Sequence, residues 1–170
     1  MAVIPAQMTV DSRLWLPQMW GGLATFKPIT MFRIGEGGWI DPGTGREPRT
    51  PVDSLRRLDN NLQDLDCIVD GTRAALDQRY AADERYYFQK TVTTADMSFI
   101  SPSKLEVRCK VEATEANDDG FGNAPEFWEI ALYSEHPQFV GEYLMVAYGT
   151  FPQQTKTSAY PLLNLVRIVA

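Results

Sequence analysis

Lys104 to Glu115 alternates without a break: Leu105, Val107, Cys109, Val111 and Ala113 are apolar, and Glu106, Arg108, Lys110 and Glu112 between them are charged. A period of two puts each set on its own face of a strand. The segment therefore predicts a sheet with one buried and one wet face, which is an antiparallel arrangement. The period of two sets in from Arg85, and further strands are predicted at Phe127–Tyr133, Tyr143–Phe151 and Leu162–Val169. The period is different after Thr50. Leu55, Leu58, Leu62 and Leu65 recur at helical spacing, with Arg56, Arg57, Asp59, Asn60, Asn61 and Gln63 on the other face. Thr50 as N-cap, Pro51 at the first helical position and Asp53 at the third give that helix a capping-box-like start. The stripe is too short for a lasting coiled-coil seam and predicts packing on the domain's own sheet. Thr72 to Asp83 is also compatible with a helix.

The first third is punctuated by breakers. Asp11 to Leu23 predicts a short helix, capped by Asp11 or Ser12 and limited by Pro17 and Gly21-Gly22. Its apolar residues are Leu14, Trp15, Leu16, Met19, Trp20 and Leu23. Lys27 to Ile34 predicts a strand, Gly35-Glu36-Gly37-Gly38 a turn, and Asp41 to Pro51 a surface loop. The second half is a run of strands without intervening helices, so the expected fold class is α+β: a mainly antiparallel, sandwich-like β-sheet with one or two packed helices. Residues 1–170 are read as a single domain, with a breaker-rich segment over 1–50, a helical part over 50–83 and an antiparallel β part over 84–170.

Composition narrows the classes. With 44% hydrophobic and 22% charged residues the chain reads as a soluble globular protein. A net charge of -6 disfavours nucleic acid as a partner, because such binding draws its affinity from neutralised phosphates. No segment approaches the ~20 apolar residues of a membrane span, and Met1 to Val10 lacks the basic and apolar regions of a secretory signal. Cys67 and Cys109 lie far apart, in no metal-ligand spacing, and are read as reduced, partly buried thiols.

Chemistry-bearing patterns are few. His136 is the only histidine, beside Pro137 in a loop, so no histidine-based triad or pair arises. No Gly-x-Ser-x-Gly elbow occurs. Gly35–Gly38 is followed by no Lys-Ser/Thr, and Glu36 would repel a phosphate. Acidic pairs, Asp64/Asp66 and Asp118/Asp119, leave a carboxylate mechanism conceivable but are common on polar surfaces. The strongest motif runs from Glu115 through Asn117, Asp119 and Gly120 to Glu126. It has the spacing of an EF-hand calcium loop, with Glu in the first position and the Phe121 carbonyl as a further ligand. Strand-like flanks, Pro125 in place of an exiting helix, and the turn-forming Asn-Asp-Asp-Gly string count against it. The expectation is a non-enzyme with no catalytic, metal or cofactor residues. Trp15, Trp20, Phe26, Phe32 and Trp39 crowd the first forty positions, and they predict both core anchors and a docking patch.

Three segments in order, FRIGEGGW (Phe32–Trp39), EFWEIALY (Glu126–Tyr133) and AYGTFPQQTK (Ala147–Lys156), resemble the N-terminal domain of the phage tail-collar fibre family. With Leu162–Val169 as the closing strand, the resemblance covers the chain from about Phe26 onward. Glu129 falls on the family's strand Glu, while Ala131 stands where a Gly is usual. The resemblance implies a virion structural protein that attaches fibres to a baseplate, usually with three chains side by side, and without catalysis. In fibres a shaft and receptor-binding tip follow this domain. A chain stopping at Ala170 is therefore expected to be an adaptor, attaching fibre or collar components to the tail of the virion after assembly in the host cytoplasm. Other tail, baseplate or fibre proteins are the expected partners, with self-association as a trimer. The alternative is a carbohydrate- or receptor-binding β-sandwich module.

Overall fold

The computed structural model describes residues 1–25, 27–48, 79–80, 85–141 and 143–169. In chain order these form β1 (Ala2–Met8), α1 (Val10–Trp20), β2 (Ile29–Gly35), β3 (Trp39–Ile40), β4 (Glu47–Pro48), β5 (Arg79–Tyr80) and β6 (Arg85–Thr91). There follow β7 (Met97–Ser101), β8 (Lys104–Val111), β9 (Glu126–Glu135), β10 (Tyr143–Thr155) and β11 (Leu162–Val169). The fold is mostly β-sheet. α1 is the one α-helix among the described residues. The leucine-stripe helix expected from Thr50, the helical reading of 72–83, Asp64/Asp66, Phe26 and Cys67 lie outside them.

Nine strands join in the order β5-β6-β2-β9-β10-β1-β11-β8-β7. The pivot is β1. Ala2 to Ala6 pair in parallel with Asn164 to Ile168 of β11, and Gln7 and Met8 pair antiparallel with Tyr148 and Ala147 of β10. A strand that changes partners in mid-course turns a corner, and the sheet folds over on itself there. The two halves bury one core between them. Ile4 and Ala6 of β1, Val107, Cys109 and Val111 of β8 and Val166 and Ile168 of β11 pack with Phe32, Ile34, Ile130, Leu132 and Ala147 from the other half.

The alternation in β8 therefore does what its pattern requires as far as Val111, where the strand ends short of the predicted Glu115, and β11 occupies the predicted residues Leu162–Val169. β9 differs. It lies between β2 and β10, and eight consecutive residues from Phe127 to Ser134 are buried, because both of its faces are covered. In β10 a register shift between Met145 and Ala147 puts Met145 in a second cluster, with Met31, Tyr87, Tyr133 and Tyr148 on the outer face, while Ala147 faces the core.

The first third is more regular than its breakers suggest. β1 carries no alternation that a sequence reading would single out, since Pro5 interrupts it, yet it joins the two halves. The helix begins earlier than expected: Thr9, not Asp11 or Ser12, is the N-cap, and its hydroxyl accepts the Ser12 N–H. Pro17 sits inside the helix without ending it, and the chain leaves at Gly21. No helix of the described residues is long and apolar enough to cross a membrane.

The corner needs a glycine. A Cβ at Gly149 of β10 would lie 2.8 Å from the Pro5 carbonyl oxygen and 3.0 Å from Ile4 Cγ2. Both are atoms of the crossing strand, so any side chain there pushes β1 off β10. Gly149→Ala is expected to lower unfolding stability by about 1–3 kcal/mol, the usual cost of overpacking. Urea denaturation of wild type and variant checks this.

Candidate functional site

The three segments of the family resemblance become neighbours in space. FRIGEGGW forms β2 and the bend after it, EFWEIALY forms most of β9, and AYGTFPQQTK forms the second half of β10. β2 and β10 flank β9, with Gly35 and Thr150 both opposite Glu129. Their polar residues interlock. The Glu36 carboxylate accepts the Tyr86 N–H at 3.0 Å and the Glu126 N–H at 3.1 Å, clasping the starts of β6 and β9. Gly38, at φ 79°, lies against β9 and β10: a Cβ there would be 2.7 Å from Glu129 Cβ and 3.1 Å from the Tyr148 hydroxyl. That hydroxyl donates to the fully buried Glu129 carboxylate at 2.7 Å. The Trp39 indole N–H donates to the Glu36 carbonyl, and its ring stacks on the Arg46 guanidinium at 4.2 Å.

On the same face Arg33 is buried between two rings, 4.8 Å from the Tyr133 centroid and 5.2 Å from that of Tyr87, and it donates to Gln89. Guanidinium over aromatic faces is favourable, the more so when desolvated. The sequence offered no sign of this, since one Arg in a strand reads as a solvent-facing residue. The glycine-rich string is thus a structural joint whose acidic residue binds backbone N–H groups.

The calcium-like loop is also occupied by the chain's own groups. The Lys156 ammonium, fully buried, donates to the Ala113 carbonyl, Asn117 Oδ1 and the Thr157 carbonyl at 3.2, 2.7 and 2.7 Å. Burial pushes its pKa below the usual lysine value, against the pull of Glu115. Glu115 turns to Lys90 at 2.7 Å and to the Glu112 N–H at 2.9 Å. Asp119 accepts the N–H groups of Phe121 and Asn123, Asp118 that of Gly120, and Glu126 faces Arg46. Among the described residues no three His, Cys, Asp or Glu side chains converge as a metal site.

His136 is buried, not a solvated loop residue. Its Nδ1 accepts the N–H groups of Gln138 and Phe139, and its ring contacts Trp15 and Phe139. Cys109 is buried in the core, and desolvation raises its pKa far above neutral pH, which keeps it a thiol. Of the early aromatics, Phe32 is buried in the core, Trp15 and Trp39 are half-buried, and Trp20 at the end of α1 is 78% exposed.

A concave apolar feature lies at the other end of the sandwich. A cleft of about 430 Å³ opens between α1 and the two halves of the sheet, with Leu16, Met19, Ile29, Phe99, Leu144 and Ile168 among its walls. α1 is held over this mouth by the Thr9 N–H and the Ser12 hydroxyl, both donating to the Val146 carbonyl at 3.0 Å. Phe99 of β7, in its wall, is exposed; Trp20 at the end of α1, Leu23, Ile100, Phe139 and Val140 are also exposed apolar side chains. No sequence period reports such a site, because its residues come from segments far apart in the chain. Comparison with family models, curated proteins and solved structures gave no match to this chain.

Two outcomes follow for the loop. With Lys156 holding its oxygens, millimolar calcium or a chelator should leave the melting temperature unchanged, as scanning calorimetry would show. For Glu115, burial alone would raise the carboxyl pKa, but Lys90, the Glu112 N–H and the charge of Lys156 outweigh it and hold the value below 4.5. Its stabilising contribution is thus complete above pH 4.5 and fades as pH falls through the lowered value. Glu115→Gln should melt earlier than wild type at pH 7, with the gap closing below that range.

Proposed function

We propose that this protein is a non-catalytic structural component of a phage virion, an adaptor that attaches fibre or collar parts to the tail or baseplate. The observation that carries the reading is the interlocked set β2–β9–β10. The three segments that resemble the tail-collar fibre family are not scattered: they are adjacent strands joined through Glu36, Gly38, Glu129 and Tyr148. A motif set whose members hold one another in place is what a conserved scaffold requires. A catalytic set would instead present reactive groups to a cavity. Here the most constrained polar groups, Glu36, Glu129 and Lys156, are used on the chain's own atoms.

An adaptor also needs a surface for other proteins. The apolar mouth, walled in part by Leu16, Met19, Leu144 and the exposed Phe99, has the character of a protein contact. Sugar recognition would need polar groups beside an aromatic platform, and the walls of this cleft are mostly aliphatic. That favours the adaptor over the glycan-binding alternative. Three copies side by side is the arrangement the resemblance implies, and the partners are tail, baseplate or fibre proteins.

The test is to tag the protein in its source particle and image purified tails by immunogold electron microscopy. Label is expected at the baseplate, collar or fibre attachment point. Label absent from every tail element, with the tagged chain present in the lysate, would overturn the proposal.

A further inference from the structure

The cleft beside α1 has the make-up of a small-molecule site: mostly apolar walls with a few polar groups among them. Met8 of β1, Met19 of α1 and Met97 of β7 line it, and methionine adapts its shape to an irregular occupant. Among its described walls Phe99 is the one aromatic ring, so no stacking platform for a flat ligand is present. A dry cavity of ~150 Å³ takes a benzene molecule, so about 430 Å³ has room for roughly a dozen to sixteen carbons.

One buried polar group in the walls is unused. Ser134 of β9 is 4% exposed and sits opposite Ile29 of β2 and Leu144 of β10, and all three line the cleft. Its hydroxyl has no hydrogen-bond partner among the described residues, whereas the Ser12 hydroxyl is occupied by the Thr9 and Val146 carbonyls. A buried hydroxyl left unmatched costs stability, and an oxygen on a ligand would satisfy it.

The charge at the cleft is positive. Lys27 and Lys104 line it, and no Asp or Glu among the described residues does. Lys27 is neutralised by Glu135 at 2.9 Å, but Lys104, which is exposed, has no ion-pair partner among the described residues. The acids nearby are engaged elsewhere. Asp96 accepts the Thr93 N–H and hydroxyl at 2.9 Å and is drawn to Arg108 and Lys90, and Glu106 pairs with Arg167. One uncompensated cation remains, so the cleft suits a monoanion.

We propose that this cleft binds a long-chain fatty acid, its tail among the aliphatic walls and its carboxylate between the Ser134 hydroxyl and Lys104. A peptide fits less well. The wall strands β8 to β11 use their backbone groups in sheet ladders, so a peptide backbone inside the cleft would go unmatched, while an acyl chain has a single polar end. The site does not depend on the tail reading, and a ligand in its depth leaves the exposed Phe99 open to a protein contact.

Isothermal titration of the full chain, first stripped of lipid on a hydrophobic resin, tests this with dodecanoate, dodecanol and dodecyltrimethylammonium. Dodecanoate is expected to bind once per chain with a Kd on the order of 10 µM. The cationic probe should bind at least about tenfold more weakly. Lys104→Glu, at an exposed position, should weaken dodecanoate about tenfold and leave dodecanol unchanged. Met19→Trp, which fills the cleft from α1, should abolish binding of both while keeping the melting temperature. Absence of dodecanoate binding, or binding that persists in a folded Met19→Trp, would overturn the proposal. Equal affinity for the cationic probe, or indifference to Lys104→Glu, would overturn the placing of the carboxylate.

Discussion

β1 hydrogen-bonds to β11 over its first residues and to β10 over its last two, and this change of partner makes one sheet into two facing layers. Ile4 and Ala6, on the strand that turns the corner, are themselves part of the core. Without β1 the two halves would each keep an apolar face and an open edge. Burial of that shared face is the main favourable term holding the layers together, since apolar area removed from water stabilises by roughly 25 cal/mol per Å². The close passage at Gly149 fixes where the corner falls.

The outer face of β2, β9 and β10 is organised differently. There polar residues are buried one at a time, each beside a specific acceptor or ring: Glu129 with Tyr148, Arg33 between Tyr87 and Tyr133, and Glu36 on two backbone N–H groups. Such groups are costly to bury and tolerable only when matched. They specify register, because sliding β9 by one residue would turn Glu129 into the core and Ile130 out of it. The same logic explains Lys156, whose ammonium gathers the Asn117 side-chain oxygen of the loop together with the Ala113 and Thr157 carbonyls.

What the sequence disclosed depended on whether a residue obeyed a period. Strand β8 was legible because one face is wet, and alternation follows from that. β2 and β9 were legible as strands, but not in depth: Arg33 and Glu129 look like surface residues until their neighbours are in place. β1 was missed because Pro5 and a short, mixed segment give no pattern, and its partner is at the far end of the chain. The helix was legible, but its cap was misread, since Ser12 and Asp11 are as good by type as Thr9 and only the fold decides. The EF-hand spacing was present in the letters, yet the loop spends its oxygens on Lys90, Lys156 and its own N–H groups. The apolar mouth was not legible at all, being assembled from parts of β1, β2 and β7 to β11 with α1.

The parallel pairing of β1 with β11 joins two strands far apart in the chain, Ala2–Ala6 with Asn164–Ile168. On a ribosome, β1 emerges well before β11 and must wait for it before its main ladder can form. Contacts this distant in sequence carry a large loop-closure cost and slow the final step of folding. During that wait the β11 side of β1 is unfilled, and the core residues of β8 have no opposite layer. A neighbouring nascent chain could supply the missing strand, so crowding of copies during synthesis favours exchange of β1 or β11 between molecules. The corner that closes the native fold is also where the chain is most open to swapping.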